Sequence, residues 1–111
     1  MDDEKYLPAF ELIAHAGDAK ASALMAIEAA QEFDFEEAQK CLKACEAEMH
    51  KAHDAQCDMI QQESTGHPVE VNIVLVHAQD HLTMAMMAHD NAEQFISLYK
   101  MIKELKEELS K

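Results

Sequence analysis

The side chains with the greatest chemical capacity stand in the stretch VLVHAQDHLTM, residues 74–84, where His77, Gln79, Asp80 and His81 interrupt an apolar run. One mispaired polar group in such a run costs about 1–3 kcal/mol, so the placement calls for a use. On a helix, offsets of three and four put His77, Asp80 and His81 on one face, where imidazole serves as nucleophile, proton carrier or metal ligand. A second constellation, His50, His53, Asp54 and Cys57 at i, i+3, i+4 and i+7, offers metal-ligand types on one face of another helix. From that helix, Gln56 and His53 join Gln79, Asp80 and His81 in a polar group set within two otherwise apolar seams, a pattern kept at sites more often than in plain cores. His15, His67 and His89 belong to no cluster in the sequence, and solvated surface is their expected place.

Several chemistries are excluded. No cysteine shares the His77 segment, and Cys41 and Cys45 read as small core or boundary residues, which leaves no reactive-thiol dyad. Neither G-x-x-x-x-G-K-[ST] nor G-x-G-x-x-G occurs, so nothing is built to hold a nucleotide. A formal charge of −13, with nine lysines and no arginine, argues against nucleic acid and anionic membrane surfaces. No apolar stretch approaches the roughly 20 residues of a membrane-spanning helix. Three cysteines in no secreted-type spacing, and the acidic start MDDEKYLPAF in place of a signal peptide, point to the cytoplasm.

The elements that must position these groups are helices. Two Gly and two Pro in 111 residues, with Ala, Glu, Met, Leu, Gln and Lys abundant, predict an all-α single domain over residues 1–111. Asp34 followed by Glu37 forms a D-x-x-E capping signal, and Gly66 with Pro68 marks a second break. The three predicted helices run over about 4–31, 35–64 and 69–109. VEVNIVLV, residues 69–76, alternates enough to pass for a strand, but a strand without a partner leaves its backbone unpaired, so helix is preferred. Steps of three and four pick out Leu7, Phe10, Ala14, Gly17, Ala21 and Leu24 as the first helix's seam, then Phe35, Ala38, Leu42, Cys45, Met49, Ala52, Gln56 and Met59. In the third they pick out Val74, His77, His81, Met84, Ala88, Asn91, Phe95, Leu98, Ile102, Leu105 and Leu109. A second apolar stripe on the third helix, Ile73, Val76, Met87, Leu98 and Met101 with Asp80, Asn91 and Gln94 on or beside it, predicts self-association, because a helix in a monomeric three-helix bundle has one wet face.

LVHAQDHLTMAM, with GDAKAS near residue 17, the DFEEA turn, AHDAQ at 52–56, the ESTGH turn and ISLYK in the last helix, resembles the lactose/cellobiose/chitobiose family of phosphotransferase-system enzyme IIA proteins. The resemblance covers nearly the whole chain and implies an antiparallel three-helix bundle, spectrin-like and up-down-up, assembling as a parallel homotrimer. It implies that His77 accepts a phosphoryl group from the histidine-containing phosphocarrier protein and passes it to a cysteine of the IIB component. The uptake served would be of β-disaccharides, with sugar specificity in the IIB and IIC partners. Asp80 matches the family's aspartate near the trimer axis, where members bind a divalent ion; an oxygen-only carboxylate ring suits Mg²⁺ or a similar hard ion. Thr83 departs from the family, standing where a methionine is usual.

Neutral imidazole is a competent phosphoryl acceptor. With the third helix starting near 69, His77 would sit mid-helix, out of reach of free N-terminal amides, so side chains must hold the phosphoryl oxygens: Gln79 and His81, with Gln56 or His53. No lysine lies between Lys51 and Lys100, so a fixed cationic clamp is missing and the group would be held loosely, as a relay requires. Two rival readings stand beside this one: a helical metal-binding module on His50, His53, Asp54 and Cys57, and a structural helical oligomer whose polar seam residues fix register.

Overall fold

A computed structural model describes residues 3–111, so the first two residues of the acidic start lie outside the described part. A short 3-10 turn over Asp3–Tyr6 leads into α1 (Leu7–Gln31), followed by α2 (Phe35–Ser64) and α3 (Ile73–Leu109). No strand occurs among the described residues. The bundle is elongated, 66 × 27 × 19 Å. α1 runs between the other two and makes most of the contacts, while α2 and α3 touch each other sparsely. The three-residue turn at 32–34 returns α2 antiparallel to α1, and the bond from Gln31, the last residue of α1, to Tyr99 in the C-terminal half of α3 has those two helices running the same way.

Both turns close on the same backbone device. After α1, Phe33 N–H bonds Ala30 O and Asp34 N–H bonds Ala29 O, the paired bonds of a Schellman end. Asp34 then caps α2 through Oδ1, which accepts from Glu37 N–H at 3.2 Å, as the D-x-x-E signal predicts. After α2, His67 N–H bonds Gln62 O with Gly66 at φ +86°. The left-handed residue of the first turn is Phe33, at φ +61°, where a side chain costs about 1–2 kcal/mol. Its ring offsets that cost by lying under Lys106 and against Phe35.

The α2 seam is buried or half-buried throughout, with Cys41 added to it. The α1 seam is a correction: Leu7, Phe10, Ala14, Gly17, Ala21 and Leu24 are all exposed, and the buried row is Ala9, Leu12, Ala16, Ala19, Ala23, Ala26 and Ala30. Both rows step by three and four. Alanine wins the interior because a central helix with small side chains lets both neighbours approach closely. The α3 seam is corrected in the same sense. Its buried row is Ala78, Leu82, Ala85, Ala92 and Ile96, and of the predicted set only Val74, His81 and Ala88 are even half-buried. α3 also begins later than predicted. Residues 69–72 are non-helical, Glu63 holds Val69 N–H at 3.0 Å, and Asn72 caps α3 through Oδ1 on Leu75 N–H at 2.9 Å.

The second stripe stands where expected. Ile73, Val76, Met87, Leu98 and Met101 are all exposed, Ile73 at 80% and Met87 at 61%.

Candidate functional site

His77 is the fifth residue of α3, one turn past the Asn72 cap. A side chain in this second turn stands close to the helix N-terminus, where the positive end of the helix dipole favours an anion. This corrects the mid-helix placement that follows from a start at 69.

The ring is exposed. One turn on, His81 is half-buried and places Nε2 3.0 Å from His77 Nε2, with the rings edge-on at 4.4 Å between centroids. A single hydrogen lies between the two nitrogens: one ring donates and the other accepts. On the α2 side, Gln56 Nε2 donates to Gln79 Oε1, tying α2 to α3 and leaving the Gln79 amide N–H groups for another acceptor. His53 lies apart, exposed, with its Nε2 3.4 Å from Cys57 Sγ. Thus the structure joins His81 to His77 and Gln56 to Gln79, and it does not draw His53 into either pair.

Beside His77 runs an open groove of about 760 Å³, lined by Phe10 and Ile13 of α1 and by Ile73, Val76, Asp80 and Thr83 of α3. Asp80 is exposed there, a lone carboxylate on the apolar outer stripe.

The second constellation does not converge on one point. His50 pairs with Asp54 at 3.6 Å and His53 with Cys57 at 3.4 Å, both on the surface. Among the described residues, the three ligand-type side chains whose atoms gather within 4.8 Å of one another are His89, Asp90 and Glu93. His89 is therefore no solvated surface residue: its side chain is 12% exposed, and Glu46 of α2 lies 3.1 Å from Nε2. Burial pushes its pKa down, but hydrogen bonds to Glu46 and Asp90 and the charge of Glu93 outweigh burial and raise it. The spacing H-D-x-x-E was the available signal. His15 is likewise engaged, its Nδ1 2.7 Å from Glu48 Oε2, whereas His67 is exposed as expected. Buried Cys45 has its thiol pushed up to about 11 by burial and then by Glu46, so it is no nucleophile.

The family model for the lactose/cellobiose-specific IIA subunit of the PTS system matches residues 8–100. The chain is 42% identical over 104 residues to the lichenan-specific phosphotransferase enzyme IIA component of Bacillus subtilis, covering 94% of each. It is 34% identical over 103 residues to the lactose-specific EIIA component of Lacticaseibacillus casei, covering 93% of this chain and 92% of that one. The crystal structure of the PTS cellobiose-specific enzyme IIA from Bacillus anthracis superposes with a TM-score of 0.90 at 32% identity, over 94% of this chain and 95% of the other.

Proposed function

The chain belongs to the lactose/cellobiose-specific IIA family of the phosphotransferase system and is a phosphotransferase component, and from that premise we infer that His77 is the phosphoacceptor. The observation that carries the assignment is an exposed imidazole in the second turn of α3, 3.0 Å from a second imidazole and at the mouth of an apolar groove.

The donor is the histidine-containing phosphocarrier protein. Its phosphorus–nitrogen bond breaks as a bond from phosphorus to His77 forms, and in the next step that bond breaks as the thiolate of a IIB cysteine takes the group. The transported sugar is of the β-disaccharide class and crosses through IIC. In the resting tautomer His81 Nε2–H donates to the lone pair of His77 Nε2. Once that nitrogen carries phosphorus, the same N–H donates to a phosphoryl oxygen. Gln79, held by Gln56, supplies a further N–H, and the α3 dipole supports the negative charge. His53, turned toward Cys57, plays no part in the isolated subunit. No lysine or arginine adds a fixed positive charge between Lys51 and Lys100, so the remaining cationic contacts come from the partners, which the acidic surface attracts. The site of action is cytoplasmic; no helix among the described residues is long and apolar enough to cross a membrane.

The assembly is a parallel homotrimer joined along the outer stripe of α3. Asp80 fits a divalent ion there, because a carboxylate between apolar neighbours on an association face needs a counter-charge when three copies meet at one axis. Such an ion, Mg²⁺ or a similar hard cation, supplies charge neutralisation and takes no part in transfer.

Incubation with phosphoenolpyruvate, enzyme I and the carrier protein should give an acid-labile phosphate that disappears in His77→Ala. Phosphate retained in that variant would overturn the assignment. The rival metal module on His50, His53, Asp54 and Cys57 has its side chains divided into two surface pairs and gains nothing from the structure.

A further inference from the structure

We propose that His89, Asp90 and Glu93 of α3, with Glu46 of α2 behind the imidazole, form a site for a first-row divalent ion such as Zn²⁺, Mn²⁺ or Co²⁺, separate from the phosphoacceptor and from Asp80. His89 lies 12 positions beyond His77, about 18 Å along the helix, and on the face turned to α2 rather than the outer stripe.

The geometry distinguishes this group from an ordinary acidic surface. Glu46 Oε1 is 3.1 Å from Nε2, which fixes the ring and its tautomer from a neighbouring helix. With Nε2–H donated to Glu46, Nδ1–H donates to Asp90 Oδ1 at 3.2 Å with Glu93 Oε1 at 3.4 Å, and loss of that proton leaves a lone pair aimed between the two carboxylates. A carboxylate behind a histidine that faces further ligands is the arrangement by which metal-binding imidazoles are oriented. One nitrogen and two carboxylate oxygens suit a first-row divalent ion, with waters completing its shell. The imidazole is held rigid at 12% exposure while Asp90 is 77% and Glu93 52% exposed, so an ion has both an anchored ligand and an open approach.

Charge argues the same way. Three carboxylates face one imidazole, and even a protonated ring leaves two negative charges uncompensated. A divalent ion that displaces the Nδ1 proton to solvent leaves only one. Binding would also clasp α2 to α3, the pair of helices with the least direct contact.

The test uses the full ¹⁵N-labelled chain at mildly alkaline pH, with substoichiometric Mn²⁺ as a paramagnetic probe and Zn²⁺ in calorimetry. Amide broadening is expected at residues 89–93 and around Glu46, and at least a tenfold loss of Zn²⁺ affinity at that site in the Asp90→Asn, Glu93→Gln double variant. Both positions are exposed, so circular dichroism should be unchanged. Glu46→Ala, which frees the ring without removing a ligand, should weaken binding about 10–100-fold. Broadening confined to Asp80 or the His77–His81 pair, or affinity unaltered in the double variant, would overturn the site and show His89 to be an ion-paired imidazole only.

Discussion

Two imidazoles joined Nε2 to Nε2 cannot both keep a free lone pair on those atoms, and this makes His81 more than a neighbour of His77. On the proposed mechanism its N–H orients the His77 ring at rest, releases the Nε2 lone pair as that nitrogen bonds phosphorus, and then donates to a phosphoryl oxygen. A hydrogen bond to a charged group contributes about 1.5–3 kcal/mol, so His81→Ala should slow phosphoryl transfer roughly 10–100-fold in a stopped-time assay with the carrier protein. His81→Gln, which retains an N–H donor, should recover part of the rate; equal rates for wild type and His81→Ala would remove the role. Glu48 offers a test away from the site. The hydrogen bond from His15, and next that from Lys51, hold its carboxyl below the usual carboxylate range. A depressed folded-state pKa stabilises above the unfolded value of about 4.3 and loses that contribution as pH falls through the folded one. Glu48→Gln should therefore cost about 0.5–1 kcal/mol in urea unfolding at neutral pH, and the gap from wild type should close in the acid range below pH ~4. A gap that persists there would assign the loss to packing.

The helices show which parts of this architecture are legible in a sequence. The breaks at Asp34 and Gly66 were, because capping and positive φ are local demands that a few residues declare. α2 was legible too, since its bulky and buried side chains coincide. On α1 and α3 the same periodicity selects the wrong face: alanines line the interior while Leu7, Phe10, Phe95 and Ile102 point outward, so the larger hydrophobes mark another surface than the protomer core. Periodicity gives spacing and not which of two apolar faces meets which partner. The start of α3 was misread because VEVN was counted into the helix, whereas Asn72 is its cap. That error matters chemically, since it moves His77 from mid-helix to the second turn. Asn72→Ala should cost about 1 kcal/mol by thermal unfolding, the usual worth of an N-cap, and should also fray the turn beneath His77 and raise its backbone amide exchange. An unchanged melting temperature would show that the cap contributes nothing. Register between helices was not legible either. His15 with Glu48, and His89 with Glu46, are brought together only by packing.

At the scale of the whole molecule the composition of the surface is the anomaly. A chain with formal charge −13 leaves a line of large apolar side chains exposed along α3, from Ile73 through Met87 and Leu98 to Leu105. A stripe of that length on the face opposite the core is the surface along which the proposed trimer would assemble. Its steps of three and four, carried through Asp80, Asn91 and Gln94, are those of a coiled-coil seam, in which isolated polar members set register and copy number. Met87→Glu should give a monomer by sedimentation velocity with helical content retained, because the substitution places charge on the seam and leaves the alanine core of the protomer intact. Asp80→Leu tests the axis in the opposite sense. If three carboxylates meet there, replacing them by an apolar side chain removes mutual repulsion and the cost of desolvation, a change worth about 1–4 kcal/mol in comparable buried sites. The trimer should persist, its melting temperature should stay level or rise, and any stabilisation by added Mg²⁺ at the axis should vanish, since an ion stabilises only the state that binds it. Dissociation of Asp80→Leu into monomers would place the carboxylate away from the axis and return the seam to Ile73, Val76 and the methionines alone.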